Sequence, residues 1–168
     1  MYKKCKTLQS SERQREFVHT FFEMMKKKQF KEITVSALCK EMGAPRKAFY
    51  RYFDGIEDVL NALLDEILLS AFLHIEVRVE LEKFFLFWKE QKILLDVLEK
   101  NGLSQKMMDR YFALALSNER LDTLSGKDLK YAGYVSAILT MIIMWHHSGM
   151  RQSVEEMKML VLEMFDKH

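Results

Sequence analysis

The sequence predicts an all-α fold of about nine helices. Three observations carry that expectation. Apolar residues recur at i, i+3, i+4 and i+7 through segment after segment, which is the spacing of one helix face. Only one proline, Pro45, and six glycines interrupt 168 residues, too few turn formers for a sheet protein. Hydrophobic residues make up 49% and aromatics 12%, enough apolar surface to bury a core.

Taken in order, Ser10-Ser11 offers an N-cap for a first helix. Val18, Phe21, Phe22 and Met25 form its apolar face, and Lys26-Lys27-Lys28 stands at its negative end. Phe30 and Ile33 fall in a short connection. Thr34 caps a second helix with Val35, Leu38, Cys39 and Met42 inward, and Gly43 stops it. Pro45 begins a short third helix, predicted over Pro45–Tyr52, that turns Phe49 and Phe53 inward. Asp54, with Glu57 three residues on, reads as the capped start of a fourth helix carrying Ile56, Val59, Leu60, Leu63, Leu64 and Ile67. Further helices are predicted over Val77–Glu90, Gln91–Lys100, Ser104–Glu119 and Asp128–His147. Asn101-Gly102, a polar break over 122–126, and Gly149 separate them. Ser153 and Glu156 form an S-x-x-E capping box that opens the last helix, with Met157, Leu160, Val161 and Met164 read as its apolar side.

Charge is unevenly distributed. Residues 1–52 hold 13 Lys/Arg against 5 Asp/Glu, a net of +8, whereas residues 53–168 carry a net of −6. A basic head on an acidic body is the footprint expected of a chain that meets nucleic acid at one end. The head also contains the most informative pattern in the sequence. A helix of about eight residues, a turn built on Gly43 and a second short helix make helix-turn-helix geometry. Leu38, Val35, Gly43, Phe49 and Phe53 are its expected internal frame. Arg46 and Lys47, in the first turn of the second short helix, are placed to reach base edges. Tyr50, Arg51 and Tyr52 are placed to hold phosphates, Thr34 and the free amides at the start of the second helix offer further donors, and Pro45 stands beside the DNA-contacting residues.

The stretch from Ile33 to Leu60, ITVSALCKEMGAPRKAFYRYFDGIEDVL, resembles the TetR family of bacterial regulators. The matching positions are Thr34-Val35, Gly43, Phe49-Tyr50, Tyr52-Phe53 and the acidic start of the fourth helix. The segment from Ile138 to Phe165 is similar to the C-terminal part of a TetR subgroup, in which an apolar helix ends in a Trp before a turn glycine and a capped last helix. The chain departs from the family pattern at Ala44, Pro45 and Ile56. The resemblance implies a helix-turn-helix DNA-binding unit over residues 1–54, with a short basic N-terminal arm, and a helical regulatory and dimerisation region over residues 55–168. It implies a homodimeric transcriptional repressor on double-stranded DNA, reading a pseudo-palindromic operator. A cytoplasmic location is expected from Cys5 and Cys39, which make no disulfide or metal spacing, and from an N-terminus without an apolar signal region.

The last two helices are expected to supply the dimer face through Ile138, Met141, Ile142, Trp145, Leu160, Val161 and Met164. Twelve methionines and the aromatic residues of the body suggest an adaptable lining for a small-molecule effector. Phe84, Trp88, Met108, Tyr111, Phe112 and Tyr134 are its expected members; core packing accounts for the same residues. No cofactor is expected. His146 and His147, adjacent on a helix, point about 100° apart and do not chelate one ion together. No nucleophile elbow, glycine-rich phosphate loop or paired-carboxylate pattern appears, so no enzyme activity is expected. The longest apolar stretch, Val135–Trp145, is about half of the roughly 20 residues that cross a bilayer, so no membrane partner is expected. An alternative keeps the fold but gives it a protein partner instead of specific DNA; Pro45 and Ile56 are its support.

Overall fold

A computed structural model describes residues 2–3, 5, 7–73, 80–116 and 126–165. Among them the protein is all-helical: α1 (Leu8–Met25), a 3₁₀ turn (Phe30–Glu32), α2 (Val35–Glu41), α3 (Arg46–Phe49), α4 (Ile56–Leu73), α5 (Leu81–Glu90), α6 (Lys92–Lys100), α7 (Ser104–Leu116), α8 (Gly126–His147) and α9 (Val154–Phe165). The polar break expected over 122–126 and the start of the helix expected at Val77 lie outside, or largely outside, the described residues. The chain divides into two compact units, Met1–Ile67 and Leu68–His168, and the division falls within α4.

In the first unit, α1 starts three residues earlier than the Ser10-Ser11 cap implies. Thr7 is the N-cap, and its hydroxyl oxygen accepts from the Ser10 amide at 3.2 Å. Ser10 instead takes the third position of the box, its side chain pairing back to Thr7. The inward face of α1 is Phe17, Val18, Phe21, Met24 and Met25, all buried, with Phe22 only half-buried. α1 packs on α2, and α2 on α3. The α4 start also differs in detail: the carboxylate that reaches back to the Asp54 amide is that of Asp58, at 3.0 Å. Val59, Leu60, Leu63 and Leu64 then point inward.

In the second unit, α9 packs on α5, while α6 and α7 pack on α8. Phe84, Phe85 and Trp88 of α5 are fully buried, and the Phe85 ring meets Trp145 edge-on at 5.8 Å. The turn between α8 and α9 is closed from both sides. Gly149 sits at φ +83°, which a residue with a Cβ adopts only at a cost, and the Trp145 indole N–H donates to the Gln152 carbonyl at 3.1 Å. The expected capping box then opens α9: the Ser153 amide donates to Glu156 at 2.7 Å and the Glu156 amide to Ser153 Oγ at 3.2 Å.

Candidate nucleic-acid interface

The helix-turn-helix segment is held by local chemistry at each end. The Thr34 hydroxyl oxygen accepts from the Ala37 amide at 3.1 Å, which starts α2. Gly43 lies at φ +60°, and around it the Gly43 amide donates to Lys40 and the Ala44 amide to Cys39, which tie off the α2 carbonyls. Pro45 then serves as the N-cap residue of α3, one position earlier than a first-turn placement; it lacks a side-chain cap, and its carbonyl accepts from the Ala48 amide at 2.8 Å.

The third helix is shorter than the Pro45–Tyr52 expectation. Regular α geometry ends at Phe49, and the chain continues through a turn in which Tyr52 and Phe53 donate back to the Phe49 carbonyl at 2.9 and 3.1 Å. Four residues cannot sustain a helix by propensity, because nucleation alone is unfavourable. α3 is therefore held by what it packs against. Phe49 and Phe53 are both completely buried. The Phe17 ring meets Phe49 edge-on at 5.6 Å and Phe53 edge-on at 6.1 Å, while Phe49 and Phe53 lie 5.4 Å apart. Phe17 was not among the apolar residues the sequence pattern assigned to α1, although its position four before Phe21 puts it on that face.

The opposite side of the segment is cationic. Arg46, Lys47 and Arg51 are all exposed, as are Thr34 and Pro45. Arg46 and Tyr50 act as one unit. A guanidinium N–H donates to the Tyr50 hydroxyl at 3.1 Å, the guanidinium carbon lies 5.9 Å from the ring centroid, and the hydroxyl contact pushes the Arg46 pKa further up. Tyr50 is 41% exposed and Tyr52 is half-buried, its ring tilted against Phe17 at 6.0 Å. Tyr52 thus belongs partly to the internal frame, for which the sequence names Val35, Leu38, Gly43, Phe49 and Phe53. Within that frame Leu38 is fully buried and Val35 half-buried. Cys39 is also buried there, and burial raises its thiol pKa.

Two expectations about the second unit need correction. Ile138, Ile142, Trp145 and Val161 were expected on a face shared with a second chain, but each is at most 2% exposed within a single chain. Their surface is already covered by the protein's own helices. Of the seven expected residues, Leu160 and Met164 are exposed and Met141 is half-buried; Met144 and Met159 are exposed beside them in sequence. Among the expected effector-lining residues, Phe84, Trp88, Met108, Tyr111 and Tyr134 are buried, whereas Phe112 is 45% exposed. The Trp88 indole N–H is buried without a hydrogen-bond partner among the described residues. The Tyr111 hydroxyl donates to the Ala132 carbonyl at 3.3 Å, and burial raises its pKa.

His146 and His147 face carboxylates on α6. His146 Nε2 lies 2.7 Å from Asp96 and His147 Nδ1 2.5 Å from Glu99. Among the described residues no group of three or more His, Cys, Asp or Glu is arranged to hold a metal ion, and no helix is long and apolar enough to cross a membrane.

No protein-family model matches the chain, and no curated protein matches it.

Proposed function

We propose that the protein is a sequence-specific DNA-binding transcriptional regulator, a repressor that binds its operator as a homodimer. One observation carries the reading. A short segment bearing exposed Arg46, Lys47 and Arg51 is anchored from behind by two fully buried phenylalanines, so that its cations are presented on a fixed scaffold. A recognition element needs that combination: side chains of long reach and positive charge for base edges and phosphates, and no freedom in the backbone that carries them. The +8 net charge of residues 1–52 supports the same reading.

Within this proposal Arg46 and Lys47 read bases, Arg51 and the Thr34 hydroxyl hold phosphates, and Pro45 and Tyr50 flank the contact. A second copy of the chain docks through the exposed apolar residues Leu160 and Met164, with the half-buried Met141, so that two recognition segments enter successive major grooves about 34–36 Å apart. A small-molecule effector is the expected ligand of the second unit, whose buried aromatic residues include Phe84, Trp88, Tyr111 and Tyr134. Enrichment of genomic fragments by the purified protein tests the reading: recovery of one inverted-repeat sequence supports it. Retention that is sequence-blind and erased by moderate salt would refute it and favour a protein partner instead. Leu160→Glu and Met164→Glu are expected to shift the protein to monomer in sedimentation; dimers of unchanged affinity would remove those residues from the interface.

A further inference from the structure

Lys3 is tied to the end of the recognition segment at the protein surface, its side chain 49% exposed. Its backbone amide donates to the Tyr52 carbonyl at 2.8 Å, its ammonium donates to the Tyr50 carbonyl at 2.7 Å, and the same ammonium lies 3.2 Å from Asp54. The Lys3 carbonyl accepts from the Gln14 side chain of α1 at 3.0 Å. Beside it the Tyr2 hydroxyl donates to Asp65 of α4 at 2.9 Å, with Asp65 only 2% exposed, and the Tyr2 ring lies 6.4 Å from Phe53. Residues 2 and 3 thus join α1, α4 and the chain leaving α3. A basic N-terminal arm is ordinarily read as frayed, or as a strand entering a minor groove. Here the Lys3 ammonium is engaged by the protein itself.

We propose that Lys3 is a positioning residue for the recognition segment, an inference that rests on the DNA-binding reading above. The last carbonyls of a helix have no partner within it, and a cation placed there both donates to them and meets the negative end of the helix dipole. α3 has only four helical residues, so beside the buried ring packing that holds it this clamp acts on the turn that ends it. Lys3 fixes the course of Tyr50–Tyr52, and through it the direction in which Arg46, Lys47 and Arg51 project. It does so without touching DNA.

The test compares the parent with Lys3→Met, Lys3→Arg and Tyr2→Phe in two measurements. Amide hydrogen exchange is followed without DNA. Lys3→Met is expected to speed exchange at Tyr50, Tyr52 and Phe53 about tenfold, the size of one lost charge-assisted hydrogen bond, while the amides of α8 stay unchanged. Lys3→Arg retains protection, and Tyr2→Phe, which loses one hydroxyl, shifts the same amides less. Unchanged exchange in Lys3→Met would overturn the clamp. Operator affinity is then measured against salt. A positioning role predicts about tenfold weaker binding with the salt slope of the parent, whereas a phosphate contact predicts a slope lower by about 0.9. A slope change of that size, or unchanged affinity despite faster exchange, would overturn the positioning role. If the parent itself binds no preferred duplex, the DNA-binding reading fails; the exchange data still decide the clamp.

Discussion

Replacing Phe49 by alanine removes the ring on which α3 depends. The side chain is completely buried and meets three other aromatic rings, Phe17 at 5.6 Å, Phe53 at 5.4 Å and Tyr50 at 5.4 Å. Truncating a buried phenylalanine costs about 3–5 kcal/mol, the lost transfer energy plus that of the cavity left behind. The upper half of the range applies here. Two of the contacts are edge-to-face, at interplanar angles of 83° and 88°, and such pairs contribute about 0.5–1.5 kcal/mol beyond area burial. The small first unit has little room to collapse around the void. With a urea slope of about 2 kcal/mol per molar, the unfolding midpoint monitored by circular dichroism at 222 nm is expected to fall by about 2 M. A loss below about 1 kcal/mol would refute the claim that packing, and not local propensity, holds the segment.

Three further outcomes follow from local geometry. Gly43→Ala places a Cβ at φ +60° with open space around it, so strain of the left-handed conformation alone should lower stability by about 1–2 kcal/mol, read from the thermal or urea midpoint. Ser153→Ala removes one half of the α9 capping box and should cost about 0.5–2 kcal/mol in the same assay, with the loss seen as earlier exchange of the Glu156 amide. Asp96 is held below its ordinary pKa by the Lys92 ammonium first and His146 second, so its folded value lies under its unfolded one. That contribution to stability is present above the ordinary value near 3.8 and is lost as pH falls through the lower folded value. Asp96→Asn should therefore flatten the acid limb of a stability–pH profile, modestly because the side chain is 49% exposed; an unchanged acid limb would contradict the assignment.

What was legible in the sequence was local. Thr34, Gly43 and the Ser153–Glu156 box act on amides and carbonyls within five positions, so residue type and spacing predict them. The inward placement of Phe49 and Phe53 was legible for the same reason: four positions apart, they share a side of the chain next to a glycine turn, and the Phe53 amide donates to the Phe49 carbonyl even though regular helix ends at Phe49. The Thr7 cap was less so, since Thr7, Ser10 and Ser11 all carry a hydroxyl and only the backbone decides which one lies at the first free amide. The phase of α8 and α9 was not legible. Apolar residues surround α8 on nearly every side, and which of Ile138, Met141, Ile142 and Met144 faces inward depends on α6 and α7, which no local pattern encodes. Lys3 marks the limit: its partners Tyr50 and Tyr52 lie 47 or more positions along the chain, and a lysine near an N-terminus carries no signal of them.

Whether Arg46, Lys47 and Arg51 read DNA is decided by a competition titration. The parent and Arg46→Ala, Lys47→Ala and Arg51→Ala variants are bound to the enriched duplex and to a scrambled duplex of equal length, at fixed salt. The parent should prefer the enriched sequence by about 10³-fold or more. Arg46→Ala and Lys47→Ala should each reduce that ratio, and Arg51→Ala should weaken both duplexes equally. Equal binding of the two duplexes by the parent, or three variants indistinguishable from it, would rule out sequence reading by Arg46 and Lys47.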